Sequence, residues 1–182
     1  MEALEEASLI RRDITDTDIQ NEVKKVVAAK AWVGGLNKIF NVYTAVGEGS
    51  CFDSSGTSCA YTNYCAYHGS IGSGSTSIIY SNEPYAEAPY CQGGKAPNHA
   101  DSDAAASVTS HEITEAITDP NLNAWFTSGG YEIGDLCAWN YGANTYDNVG
   151  GVFLANQQWN GRNYEIQMMW DNHQNKCVQV GP

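Results

Sequence analysis

No stretch of this chain approaches the ~20 consecutive apolar residues that a membrane-spanning helix needs, so no membrane partner is expected. Positive charge is scarce too: nine Lys and Arg stand against 21 Asp and Glu in 182 residues, a formal charge of −12. A surface that acidic repels phosphate backbones, which argues against nucleic acid as a partner. Charged residues are only 16% of the chain and hydrophobic residues 42%, which excludes wholesale disorder. There is no CxxC pair, hence no expected cysteine-rich structural zinc site. A GxSxG elbow is missing as well, and with it the usual sign of Ser-His-Asp catalysis. The opening MEALEEASLIRRDITD is acidic and has no apolar core, so it does not read as a signal peptide. Residues 1–12 are expected to be an extension or the remnant of a longer precursor whose export signal lay upstream.

What is present begins with six cysteines: Cys51, Cys59, Cys65, Cys91, Cys137 and Cys177. An even count in a Gly- and Ser-rich chain predicts three disulfides, with connectivity left open. Disulfides persist in oxidising compartments, so the expected location is secreted and extracellular. The length suits one domain over residues 1–182, expected to be a monomer.

Apolar spacing predicts a first helix over 15–33, with Thr17 and Gln20 as a capping box and Gly34-Gly35 as its end. Strands are expected at 40–46, 65–68, 76–80, 152–154, 164–170 and 177–180. A second helix is expected over 102–118, capped by Ser102 or Asp101 and closed by Asp119-Pro120. This is an α+β pattern. In the 164–170 strand, Tyr164, Ile166, Met168 and Trp170 would share the core face.

The chemistry concentrates in the second helix, where His111-Glu112-Ile113-Thr114-Glu115 forms an HExxE sequence. Residues i and i+4 differ by ~40° around a helix, so His111 and Glu115 can meet one cation. Glu112 then lies beside the metal without binding it, placed to take a proton from a metal-activated water. A carboxylate is a legitimate zinc ligand, although its added negative charge also admits Ca²⁺ or Mn²⁺ as less favoured ions. Between Ala96 and Gly161 there is no Lys or Arg, yet the segment carries eight acids. Carboxylates gathered without basic partners must stay in water, be protonated or hold a cation. Glu132 and Asp135, in YEIGDLCAW, are the next acids after the helix and the candidates for a third ligand. If that segment is extended, only one of them reaches the metal; if helical, both do. Among the remaining histidines, His68 reads as a strand residue, with a ligand role from the substrate side as its alternative, and His99 and His173 as loop residues, His173 being an outside candidate for stabilising an oxyanion.

The run SVTSHEITEAITDPNLNAWFTSGGYEIGDLCAW, residues 107–139, resembles the phosphate-induced protein 1 or EXORDIUM-like family. Its members carry a helix of the form SHELxEAxTNP, then NAW, then EIGDLC. YCAYHG (64–69), IIYSN (78–82) and PYCQGG (89–94) match the same pattern in order, so the resemblance spans about residues 42–140. It implies a secreted protein. The helix is also similar to that of zinc metallopeptidases with Glu in place of the second His, which implies a zincin-like domain: a twisted mixed sheet, an N-terminal helix and a metal-binding helix. The metzincin extension is not met, since Thr118 stands at its Gly position and Asn121 at its last ligand. A thermolysin-like spacing, with the third ligand about twenty residues after the second, selects Asp135 over Glu132.

The expectation is therefore a secreted metallopeptidase that binds one zinc ion through His111, Glu115 and Asp135, uses Glu112 as general base and acts on protein or peptide substrates. An extended substrate would pair with the 76–80 strand as a sheet edge. The alternative is a non-catalytic extracellular signalling or cell-wall-binding module holding a structural ion or none.

Overall fold

A computed structural model describes residues 14–86, 90–92, 97–98, 100–149 and 152–180; residues 1–12 and His99 lie outside the described residues. In chain order the elements are β1 (Ile14–Thr15), α1 (Asp16–Ala29), β2 (Ile39–Tyr43), β3 (Ser50–Cys51), β4 (Tyr67–Ile71), β5 (Ile78–Glu83) and α2 (Asp101–Thr118). Short strands follow: β6 (Tyr146–Val149), β7 (Val152–Ala155), β8 (Gln157–Trp159), β9 (Arg162–Tyr164), β10 (Met169–Asp171) and β11 (Lys176–Val178). The class is α+β, with a three-stranded mixed sheet ordered β2-β5-β4 at its centre. β2 runs parallel to β5, and β4 antiparallel to it.

The parallel step needs a crossover, and alternation on β5 decides what covers each face. Tyr80 joins Ile19, Val23 and Val27 of α1 in a buried cluster, flanked by Phe40, Val42, Tyr67 and Ile78. The residues between them face α2: His68 of β4 approaches Glu112, and Tyr43 at the end of β2 meets Thr109 Oγ1 at 3.1 Å. The sheet thus presents an apolar face to α1 and a polar one to α2. That polarity is the first sign that α2 does more than pack.

Several boundaries differ from expectation, for local reasons. α1 is capped two residues earlier: Thr15, not Thr17, is the N-cap, with Asp18 N–H donating to its Oγ1 and Thr15 N–H donating back to Asp18. It stops at Ala29, well before Gly34-Gly35. For α2 neither Ser102 nor Asp101 caps. Asp103 does so from inside the first turn, accepting from the N–H groups of Asn98 and Ala100 at 3.0 and 3.2 Å. The strand expected at 76–80 is β5, and it lies in the middle of the sheet, paired on both sides. It cannot offer a free edge to a substrate; β4 is the edge on that side. The expected 164–170 strand is broken into β9 and β10, because Glu165 and Gln167 between them are buried at 4% and 7% exposure and turned inward.

All six cysteines are paired, as Cys51–Cys59, Cys65–Cys91 and Cys137–Cys177. The last bond ties the segment after α2 to β11. No helix among the described residues is long and apolar enough to cross a membrane.

Candidate metal centre

Three elements meet under the inner face of α2: β4, which brings His68; a short 3₁₀ turn over Asp135–Cys137, preceded by Glu132 and Gly134; and the 165–168 segment, which brings Gln167. On α2 itself, Glu112 and Glu115 are both buried, at 4% and 3% exposure. Helical spacing places His111 one turn from Glu115, and their Nε2 and Oε1 atoms are 3.0 Å apart. His111 Nε2 is 3.7 Å from Asp135 Oδ1. Each of His111, Glu115 and Asp135 offers one ligand atom, and these atoms lie within 4.8 Å of one another.

The 3₁₀ turn is fixed onto α2 by Glu115, whose Oε1 accepts from Gly134 N–H at 3.1 Å and from Asp135 N–H at 3.0 Å. Glycine at 134 allows this approach, because a Cβ there would come within 2.7 Å of Glu115 Oε1 and 2.9 Å of the His111 ring. Asp135 turns back to accept from Glu132 N–H at 3.0 Å. The segment is neither a strand nor a regular helix. Asp135 faces His111, while Glu132 faces His68, with His68 Nε2 3.8 Å from Glu132 Oε1. His68, Glu115 and Glu132 form a second group whose ligand atoms lie within 4.8 Å of one another. Glu115 belongs to both groups.

Electrostatics follow from burial and crowding. Glu112 is pushed up by burial, against the pull of His68 and His111. Burial also raises Glu132, to about 7, although His68 beside it favours its charged form. Burial would lower His111, but the carboxylates of Asp135 and Glu115 overcome it and lift the ring to about 11. His68 is lifted in the same way to about 9, with Glu112 and Glu132 outweighing burial. Asp135 is held below the usual carboxylate range, since His111 and the Glu132 N–H outweigh its own burial. Glu132 Oε1 is a buried oxygen with no hydrogen-bond partner. Such an orphan among histidine and carboxylate donors is what a cation would satisfy. The donor set, one imidazole with two carboxylates, fits zinc and, less selectively, manganese.

A cavity of about 350 Å³ opens beside this cluster, lined by His111, Glu112, Asp135 and Gln167 and by an aromatic wall including Tyr61, Tyr64 and Trp139. Sequence reading did not single out Gln167. Its Nε2 lies 3.1 Å from His111 Nδ1 and donates to Gly134 O at 2.8 Å, while its Oε1 accepts from Trp139 N–H at 3.0 Å. Nor was His68 placed against Glu112, 3.6 Å away. His173 lines a different cavity, with Ser110, Thr114 and Trp170.

No family model matches the chain, and no solved structure matches it. The chain is similar to Protein EXORDIUM-like 5 of Arabidopsis thaliana, at 31% identity over 88 residues, which is 41% of this chain and 24% of that protein. It therefore spans about a quarter of the relative's length. The likeness supports the EXORDIUM-like resemblance of the central motifs, and with the three disulfides it is consistent with secretion.

Proposed function

We propose that the chain is a secreted, metal-dependent endopeptidase with a zincin-like arrangement of helix and sheet. The observation that supports it is the convergence of His111, Glu115 and Asp135 donor atoms within 4.8 Å, beside a cavity that Glu112 also lines. His111, Glu115 and Asp135 hold the ion. Zinc supplies Lewis-acid polarisation of a carbonyl and of water in such a site. Glu112 accepts the proton: burial raises its pKa above the ordinary carboxylate value, which makes it a stronger base than a solvated carboxylate. The aromatic wall excludes water and contacts substrate side chains. An extended substrate pairs with the outer edge of β4, which borders the same cavity through Tyr64, Cys65 and Ala66 just before it.

Hydrolysis of an unfolded protein tests this reading. Activity should disappear with a chelator, return with zinc, and fall about 10²–10⁴-fold in Glu112→Gln with the fold intact. If purified protein cuts nothing and Glu112→Gln changes nothing, the endopeptidase reading is wrong.

One observation favours a second reading. With His111, Gly134 and Asp135 all bonded to Glu115 Oε1, the HExxE helix latches the 3₁₀ turn through its own hydrogen bonds. A non-catalytic extracellular module would keep these residues for that latch. In that case Glu115→Gln destabilises the fold and a chelator has no effect on its melting.

A further inference from the structure

The cavity beside His111 is walled by tyrosine rings whose hydroxyls are already engaged. Tyr61, Tyr64, Trp139 and Tyr141 line it, together with Glu112 and Asp135. The Tyr61 hydroxyl donates to the carbonyl of Tyr85 at 2.8 Å, and that of Tyr64 to the carbonyl of Ser50 at 2.7 Å. The Tyr141 hydroxyl is hydrogen-bonded to Ser107. What these tyrosines offer an occupant is therefore ring carbon, and Trp139, half exposed, adds a larger ring. Two of the four residues hold a backbone conformation that bulky side chains rarely adopt: φ is 66° at Tyr61 and 61° at Trp139. Such strain persists only where the surroundings impose it. Here Tyr61 N–H donates to Tyr64 O at 2.9 Å and Trp139 N–H to Gln167 Oε1 at 3.0 Å. The Cys65–Cys91 and Cys137–Cys177 disulfides anchor the same two segments, next to Tyr64 and Trp139. Both backbones are thus fixed in advance, which lowers the cost of ordering the rings round a ligand.

We propose that this cavity is a specificity pocket for a large aromatic side chain, Phe, Tyr or Trp, on the substrate residue that flanks the scissile bond. The assignment rests on the endopeptidase reading and names the substrate class of that same site. Position follows from Glu112, the proposed base, which lines the same cavity: a side chain seated there belongs to a residue next to the attacked carbonyl. Size fits as well. At about 350 Å³ the cavity is at the small end of ligand sites (~300–1,000 Å³), which suits one large side chain and not a folded partner. Aromatic rings gain offset or edge-to-face contacts with such walls, which aliphatic side chains do not. Cationic side chains also favour ring faces, but once out of water they need a carboxylate. Both carboxylates of the wall are engaged: Asp135 accepts from Glu132 N–H at 3.0 Å and faces His111, and Glu112 faces His68. His111 and the ion it would hold add positive charge to the same wall. An acidic side chain meets Glu112 and Asp135 and finds no Lys or Arg among the described lining residues.

Peptide cleavage tests the assignment. The zinc-loaded full chain is given two series of peptides that vary one residue, Phe, Leu, Arg, Asp or Ala, on the amino or the carboxyl side of a single cleavable bond. Mass spectrometry locates the cut. At one of the two positions Phe should exceed Ala in kcat/KM by about 10²-fold, and exceed Leu and Arg as well. In Trp139→Ala and in Tyr61→Ala the Phe-to-Ala ratio should fall about tenfold. Both peptides meet the same preparation, so loss of folded protein cancels from that ratio, and a merely structural role would leave it unchanged. Cleavage without preference for Phe at either position, or with Arg or Leu preferred, overturns the pocket and leaves the endopeptidase reading standing. A ratio unchanged in both variants places the preference elsewhere and overturns the pocket too. A parent that cuts none of the peptides overturns the endopeptidase reading and the pocket with it.

Discussion

Gln167 holds the ring of His111: the amide Nε2 sits 3.1 Å from His111 Nδ1, across 56 residues of sequence. The amide cannot turn freely, because Gly134 O takes one hydrogen from Nε2 and Trp139 N–H donates to Oε1. Nε2 therefore donates to Nδ1, which favours the singly protonated ring with its hydrogen on Nε2, directed at Glu115. This opposes the neighbouring carboxylates, which favour the doubly protonated ring. Ligation through Nε2 moves the ring hydrogen to Nδ1, where the amide hydrogen of Gln167 already points. Gln167→Glu puts an acceptor there instead, the carboxylate partner that metal-bound imidazoles commonly have. Zinc affinity should rise by about tenfold in this variant, measured by competition with a chromophoric chelator. Weaker binding would mean that the bonds of Gln167 to Gly134 and Trp139 matter more than the ring hydrogen.

Gly134 is the tightest backbone approach in the site. Its φ of −75° and ψ of −42° suit any residue, so alanine brings no backbone strain. The added methyl would nevertheless lie 2.7 Å from Glu115 Oε1 and 2.9 Å from the His111 ring, displacing two of the proposed ligands together. Gly134→Ala should lower zinc affinity about 10–100-fold while the disulfides and secondary structure persist. Unchanged affinity would show that the turn can retreat from α2 without disturbing the ligands.

How much of this was legible in sequence depended on distance along the chain. The helix carrying His111, Glu112 and Glu115 could be read because Asp119-Pro120 ends it and i,i+4 spacing is local. Asp135 could be chosen only through a resemblance, and the expected alternatives for Glu132 failed in an instructive way. The segment is a tight turn, so the two acids point to different histidines instead of competing for one. His68 could be named only as a minor candidate near the metal, because its approach to Glu112, 44 residues away, depends on the register of β4 against β5, where His68 stands opposite Ser81. Gln167 was hidden by a misread alternation: apolar residues at 164, 166, 168 and 170 predicted a strand with its polar residues outside, whereas the buried amide is needed against His111 and Gly134.

Glu83, at the end of β5, gives a pH dependence. Burial, reinforced by the charge of Glu112, raises it to about 8 against the hydrogen bonds of Ser81 and Thr109. An acid raised on folding contributes stability that is complete below its unfolded value of about 4.5 and is lost as pH rises through about 8. Denaturant unfolding of chelator-treated protein should therefore show falling stability from pH 5 to pH 9. Glu83→Gln stays neutral throughout and should flatten that slope, being more stable than the parent at pH 9. A parallel decline in both proteins would assign the slope to other groups.

The Cys137–Cys177 disulfide closes 40 residues, and Cys137 follows Asp135 by two positions. Removing a cross-link of that length costs about 4 kcal/mol of stability on loop-entropy grounds. It does not follow that the proposed metal ligands are released. Asp135 and Gly134 keep their N–H bonds to Glu115, Trp170 N–H still donates to Ile133 O at 2.9 Å, and Met168 N–H to Asn140 O at 2.8 Å. These bonds flank the turn on both sides and act in the folded state, whereas the disulfide acts largely on the unfolded one. The double variant Cys137→Ser, Cys177→Ser should thus lose several degrees in Tm or more, yet bind zinc within about tenfold of the parent at temperatures where it is folded. A collapse of zinc binding in a variant that remains folded by circular dichroism would show that the disulfide, and not the hydrogen bonds to Glu115, positions Asp135.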